Sequence, residues 1–253
     1  MAPLQGRHAM VTGGGRGIGR AIAAALMQAG ATVTVVGRGE AALQEAVGKG
    51  EATDYGIADV TDESALAAQF ERAAKSRGPI DILIANAGGT ESAPFKATTS
   101  MEFRRIFELN VMGVVHATRA VLGGMVTRGS GRVIAIASTA GLKGYGYVSA
   151  YCAAKHAVVG LVRSLAIETA KTGVTVNAVC PGFTDTEIMR EAVAKISAKG
   201  GRSPAESAAA ILQGTPLGRF VEPKEVAAAV LYLCSPEASA VTGTTLVVAG
   251  GEI

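Results

Sequence analysis

Tyr151 and Lys155 stand four residues apart in the stretch SAYCAAKH, so on a helix their side chains project from one face. An ammonium beside a phenol stabilises the phenolate, so the pair lowers the tyrosine pKa toward the range of proton exchange near neutral pH. Alone, the two residues describe a surface pair more readily than a proton relay. A second stretch, TGGGRGIG at residues 12–19, places Gly13, Gly17 and Gly19 in the spacing G-x-x-x-G-x-G. Glycines let a backbone approach a pyrophosphate closely, and a helix starting there offers free N–H groups and the positive end of its dipole. The spacing is not G-x-G-x-x-G, and in isolation such a stretch is only a turn.

The elements that must position these residues alternate. RHAMVTGG reads as a short buried strand and IGRAIAAALMQAG as a helix ended by Gly30. ATVTVVGR, ATDYGIADV and PIDILIANAGG are further strands, separated by the helical stretches AALQEAVGKG and DESALAAQFERAAKSRG. SMEFRRIFELNVMGVVHATRAVLGGMVTRG is one long helical stretch, followed by the strand GRVIAIAS. SAYCAAKHAVVGLVRSLAIETAKTG is a second long helix, VTVNAVCPG a strand, EPKEVAAAVLYLCSP a late helix and GTTLVVAGG a final strand. Strand and helix alternate roughly seven times, which makes this an α/β chain: a Rossmann-type, doubly wound parallel sheet with helices on both faces. No linker, repeat or low-complexity block divides residues 1–253, so a single domain is expected. Residues 183–217 are polar and helix-prone, with no obvious place in the core.

Composition narrows the function. Apolar residues make up 49% of the 253-residue chain, with 4% aromatics and a net charge of +3. That is a globular protein with a buried core and no supply of stacking rings or concentrated charge for nucleic acid. Cys152, Cys180 and Cys234 are far apart, with no CxxC or Cys/His cluster, so neither a disulfide framework nor a metal site is indicated. No run approaches eighteen apolar residues. A reduced, cytoplasmic setting without membrane attachment is the expectation.

In a doubly wound sheet ligands bind beyond the carboxyl ends of the strands, at the crossover, and TGGGRGIG lies there between the first strand and first helix. This makes a dinucleotide site of it. An acidic residue at the end of the second strand would hold the ribose 2′-OH of NAD. Here the stretch reads VVGRGE, with Arg38 and no acid before Glu40, and Arg16 lies within the glycine loop. Two guanidiniums converging on that corner suit a 2′-phosphate and hence NADP(H); two solvated surface arginines are the plain alternative.

With Gly13, Gly17 and Gly19, then Asn86-Ala87-Gly88, Asn110, Ser138, Tyr151 and Lys155 in this order, the chain resembles the short-chain dehydrogenase/reductases of the TGxxxGxG, YxxxK type. The resemblance covers essentially the whole chain, including the thirteen positions from Ser138 to Tyr151. It implies that Tyr151 is the general acid toward a carbonyl oxygen and that Lys155 binds the nicotinamide ribose and depresses the Tyr151 pKa. It further implies that Ser138 hydrogen-bonds the substrate oxygen and that Asn110 holds a water linking Lys155 to solvent. For the cofactor it implies Gly13, Gly15, Arg16, Gly17, Ile18 and Gly19 at the pyrophosphate, Asp59 and Val60 at the adenine, and Asn86, Ala87 and Gly88 along the adenosine ribose. Pro181, Gly182, Thr184 and Thr186 match the segment that meets the nicotinamide carboxamide. Thr184 replaces a more usual Val or Ile, and Ala249 stands where relatives often carry Asp.

KHAVVGLVRSLAIE, VTVNAVCPGFTDT and PLGRFVEPKEVA look like the branch of 3-oxoacyl-thioester reductases and polyketide ketoreductases. The implied substrate is a β-keto acyl chain on coenzyme A or an acyl carrier protein, with Arg128 and Lys171 near a carrier-docking surface. The same scaffold reduces sugars, steroids and cyclic ketones, and some members only sense dinucleotide. Residues 183–215 are expected to form a flap over the substrate. Met189, Ile196, Ile211 and Leu212 would be its apolar face, with Lys195, Lys199 and Arg202 available to phosphates. Tyr145 and Tyr147 either line the pocket or pack the loop. His8 and His116 receive no role, and His156 a packing or interface role. A homotetramer, or a dimer, built on helices around 102–127 and 149–171 completes the family expectation.

Overall fold

Short strands filled on both faces by aliphatic residues can be buried only by helices on both sides. The computed structural model describes residues 2–253 and shows strands at β1 (His8–Thr12), β2 (Thr32–Gly37), β3 (Asp54–Ile57), β4 (Ile82–Ala85), β5 (Gly131–Ile136), β6 (Val174–Pro181) and β7 (Thr245–Val248), of which β1, β4 and β6 are buried along their whole length. They form one parallel sheet in the order β3-β2-β1-β4-β5-β6-β7. The helices are α1 (Gly17–Gln28), α2 (Glu40–Gly48), α3 (Glu63–Arg77), α4 (Ser100–Phe107), α5 (Gly113–Arg128), α6 (Ser149–Thr169), α7 (Glu187–Gly200), α8 (Pro204–Leu212) and α9 (Pro223–Cys234).

Strand alternation divides the core in two. Val11 of β1 and Ile82 and Ile84 of β4 pack with Ile22 and Leu26 of α1 and Val230 of α9. Met10 and Leu83, one residue out of phase, pack on the other face with Phe70 of α3, Val114 of α5 and Val158 of α6. Each fully buried aliphatic or phenyl side chain is worth about 1.5–3 kcal/mol. Such packing holds the carboxyl ends of the strands rigid. Chain order turns outward in opposite directions from β1 and β4, leaving a crevice between their ends.

The long helical stretch at 100–128 is not uniform. Between α4 and α5 the chain makes a π turn at Glu108–Met112. Asn110 causes it locally: its side-chain amide donates to Ile106 O at 2.9 Å, the carbonyl an α-helical Asn110 N–H would use. The polar segment after β6 forms α7 and α8. Ser203 and Glu206 close a capping box on α8 with Pro204 at its first position, and Ser197 Oγ donates to Ser207 Oγ at 2.9 Å to join the pair.

The helical stretches 100–128 and 149–169 are long and apolar enough by composition to cross a membrane. Here they lie against the sheet with about half their apolar windows buried inside the protein.

Candidate active site

The glycine turn is shaped by what would collide with it. Gly13 and Gly17 adopt φ of +66° and +54°, a conformation that disfavours side chains. A Cβ on Gly19 would stand 2.3 Å from Gly13 O and 2.4 Å from Asn86 Nδ2. Behind it, α1 begins without a side-chain cap and without an acidic residue in its first turn. Its N–H groups and dipole are therefore available to an anion. Gly15 is packed over Ala42 and Leu43 of α2, and Ile18 leans on the core under α1. Arg16, extended at the cap position, is exposed.

Thr12, the first residue of the TGxxxGxG stretch, ties this turn to the end of β4. Its hydroxyl accepts from Asn86 N at 3.0 Å and Ala87 N at 3.1 Å. Asn86 in turn donates from Nδ2 to Thr12 O at 3.0 Å and Gly13 O at 3.2 Å. The Asn86 side chain is therefore a brace for the glycine turn, leaving the backbone of residues 86–88 to face a ligand.

At the other end of the crevice Arg38 Nη1 lies 3.5 Å from Asp59 Oδ2. Burial works to raise the Asp59 carboxyl, but hydrogen bonds from Thr61 and the Arg38 guanidinium outweigh it and hold the group below its ordinary value. Asp59 is thus an anion that orients Arg38. The Val60 carbonyl is 2.9 Å from His116 Nδ1, and a Cβ on Gly113 would strike Val60. His116, given no role from sequence, pins the Asp59–Val60 segment to α5.

The chemically active groups meet beyond β5. Ser138 follows the strand and faces the Tyr151 phenol; its Oγ also accepts from Ala140 N at 3.1 Å. Lys155, one helical turn after Tyr151, is buried, with Nζ 2.8 Å from Ile136 O and 5.6 Å from the Tyr151 ring centroid. The expected lowering of the Tyr151 pKa is absent here. Burial pushes the phenol up to about 12, only partly opposed by the nearby Ser138 hydroxyl. The same burial pulls Lys155 down to about 8. Desolvation penalises both charged forms, and the ammonium is directed at a carbonyl rather than at the phenol oxygen.

Asn110, fully buried in the π turn, donates to Gly89 O at 2.9 Å and accepts from Gly89 N at 3.2 Å. A Cβ on Gly88 would lie 2.7 Å from Asn110 Oδ1 and 3.6 Å from Lys155 Nζ. Gly88 is therefore the close approach at which Asn110 and Lys155 converge.

After β6, the two threonines expected at the nicotinamide carboxamide make different contacts. Gly182 N donates to Val248 O at 3.0 Å, and Thr184 Oγ1 to Gly182 O at 3.0 Å. Thr186 instead caps α7 by accepting from Met189 N, and its methyl lies against Gly17. A cleft of about 310 Å3 between α7 and α8 is lined by Met189, Val193, Ala194, Pro204, Ala208 and Phe220. Of the remaining flap residues, Ile196, Lys195 and Arg202 are exposed, and the Lys199 side chain lies outside the described residues. Tyr145 packs edge-on against Phe183. Tyr147 is exposed at φ 67°, with its carbonyl accepting from Ala93 N at 2.8 Å across the cleft mouth.

A glycine cradle, an uncapped helix start, two arginines and a Ser–Tyr–Lys group beyond the carboxyl ends of the strands fit a dinucleotide and a reacting carbonyl. Residues 7–197 match the short chain dehydrogenase family. The chain belongs to that family. It is 39% identical over 252 residues to the 3-oxoacyl-[acyl-carrier-protein] reductase FabG of Vibrio harveyi, covering 98% of both chains. It is 37% identical over 246 residues to the acetoacetyl-CoA reductase of Rhizobium meliloti, covering 97% of this chain and 98% of the other. Among solved structures, a single-residue variant of actinorhodin polyketide ketoreductase with NADPH superposes at a TM-score of 0.94. It is 37% identical, and the match covers 100% of this chain and 99% of that one.

Within this short-chain dehydrogenase, the fold brings Asn110, Ser138, Tyr151 and Lys155 into one cluster beside Gly88. Sequence reasoning gave no role to Thr12, although it opens the TGxxxGxG stretch, or to His116, because each acts by hydrogen bonds to segments distant in the chain.

Proposed function

We propose that the chain is an NADPH-dependent ketoreductase that converts a 3-oxoacyl thioester to its 3-hydroxyacyl form. The observation that carries this reading is the convergence of Ser138, Tyr151 and Lys155 at the edge of the glycine-lined crevice. The names of its relatives point to the same substrate class. The glycine turn and the free start of α1 would hold the pyrophosphate, and Arg16 and Arg38 the 2′-phosphate. When bound there, NADPH supplies a hydride to the carbonyl carbon.

The residues of the chain manage the oxygen. Ser138 donates a hydrogen bond as negative charge develops on it. Tyr151, protonated at neutral pH because burial holds its pKa at about 12, gives up its proton to form the alcohol. Lys155, about tenfold more charged than neutral at pH 7 given its value near 8, compensates the phenolate left behind. Asn110 fixes Gly88–Gly89 around the ammonium and holds the water by which the proton is replaced. A phenol kept protonated by burial suits the reducing direction.

The flap formed by α7 and α8 covers the acyl chain, and residues 1–253 act as a single domain. A cytoplasmic homotetramer accompanies this reading. Phe107, Val126 and Ile167 are exposed apolar residues on the long helices where copies would meet. Arg128, exposed at the end of α5 with Nη2 on Ile80 O at 2.6 Å, and exposed Lys171 would face an acidic carrier protein.

The test is oxidation of NADPH and NADH by the purified protein with acetoacetyl-CoA and a panel of cyclic ketones and sugars. Rapid turnover of the thioester with NADPH supports the reading. Preference for a cyclic ketone or sugar would discard the thioester while retaining the catalytic residues.

A further inference from the structure

Ser138 takes its direction from the turn that follows it. Ala140 N donates to its Oγ at 3.1 Å, and Gly141 N to its carbonyl at 2.9 Å. One side of this turn lies on α6, where a Cβ on Gly141 would come within 2.7 Å of Lys155 O. The other side is held through the Thr139 side chain, whose Oγ1 is 2.6 Å from the Tyr145 hydroxyl. That hydroxyl also donates to Glu252 Oε1, in the segment after β7.

The members of this series fix its direction. A carboxylate only accepts, so the single Tyr145 proton goes to Glu252 and Thr139 donates to Tyr145. Burial and the adjacent carboxylate push the Tyr145 phenol up, so that proton is retained. Glu252 is itself held firmly. Its side chain is only 3% exposed, and Lys143 Nζ lies 3.2 Å from Oε1 and 3.2 Å from the Glu252 main-chain carbonyl. Just before it, Gly250 O accepts from Leu217 N at 3.0 Å, and a Cβ on Gly250 would stand 2.3 Å from Leu217 Cβ. The carboxylate is thus anchored on the chain returning from α8. Its other oxygen lies behind the Gly182 backbone, so Glu252 touches no ligand and acts only through the loop it grips.

We propose that Glu252 is a positioning residue for Ser138, acting through Tyr145 and Thr139 on the turn that aims the serine hydroxyl at the substrate oxygen. The inference rests on the ketoreductase reading above for what Ser138 does, though not for how the turn is held. Without the carboxylate, the Tyr145 proton is free to turn to Thr139, the hydrogen bond between them reverses, and the turn loses its outer tether.

The test measures kcat and the KM for NADPH in reduction of acetoacetyl-CoA by wild type, Glu252→Ala, Glu252→Gln and Tyr145→Phe, each also in a Ser138→Ala background. Glu252→Ala should lower kcat about tenfold and leave the KM for NADPH within about twofold. Glu252→Gln, which keeps an acceptor oxygen, should recover most of the loss. Tyr145→Phe breaks the same link from its other end and should match Glu252→Ala. In the Ser138→Ala background the same substitutions should change the residual rate by less than about twofold, because the residue they act through is gone. A carboxylate that merely supports the fold would cost the same factor in both backgrounds. That result, an unchanged kcat, or a loss that Gln fails to relieve would overturn the assignment. Amide hydrogen exchange over residues 139–142 reads the turn without turnover. It should quicken about tenfold in Glu252→Ala and Tyr145→Phe while α1 keeps its wild-type protection, and unchanged exchange in the turn would equally overturn the proposal. A wild-type protein that does not reduce acetoacetyl-CoA contradicts the thioester reading instead, and the exchange comparison then decides the inference alone.

Discussion

In the proposed reaction Lys155 acts as a cation, yet its surroundings make that charge costly. With its pKa pulled to about 8 by burial, the ammonium is lost as pH rises through that value, while Tyr151, near 12, does not titrate there. The kcat/KM for NADPH, which reports the free enzyme, should therefore be level at about pH 6–7 and fall tenfold per unit above about 8. A profile that stays flat to about pH 9.5 would contradict the role given to Lys155. At the adenosine end, Arg38 is held beside Asp59 by a partner that keeps its own charge. Arg38→Ala should raise the KM for NADPH about tenfold and leave that for NADH within about twofold, as expected for loss of one charge-assisted contact. Parallel changes in the two would place the 2′-phosphate elsewhere.

At the scale of elements, the active geometry depends on segments braced against one another. The Thr12 hydroxyl satisfies two half-buried N–H groups at the end of β4. Thr12→Val should cost about 1–2 kcal/mol and lower Tm by about 2–8 °C in a chain of this size. A melting curve that superposes on the wild type would show that the brace is dispensable. Periodicity made the alternating strands and helices legible, because the central strands, buried under helices, read as short apolar runs. Ser138, Tyr151 and Lys155 were legible because short local spacing on one strand end and one helix carries them. The π turn was not: it arises when the Asn110 amide takes the Ile106 carbonyl, a choice that hydrophobic spacing does not record. The depressed tyrosine pKa also misread the site, since spacing shows the neighbouring ammonium but not the desolvation that outweighs it.

Across the whole molecule, the sheet places one titratable group far from the chemistry. His8 bonds through Nδ1 to Gly78 O at 2.8 Å and through Nε2 to Thr34 Oγ1 at 3.0 Å. Burial lowers its pKa, outweighing Gly78, Asp81 and Asp54, which raise it, while Arg77 lowers it further. A histidine titrating lower when folded contributes stability that is full above its unfolded value of about 6.5 and is lost as pH falls through the folded value. Between about pH 7.5 and about pH 5, Tm should fall more steeply for the wild type than for His8→Gln. Parallel slopes would assign the acid sensitivity to other groups. The catalytic claim itself rests on one oxygen. The direct measurement is NADPH-dependent reduction of acetoacetyl-CoA by wild type and Tyr151→Phe, with NADPH affinity determined for both. The expected result is a fall in kcat of at least about a hundredfold with cofactor affinity unchanged within about twofold. Retention of wild-type turnover by Tyr151→Phe would contradict the mechanism.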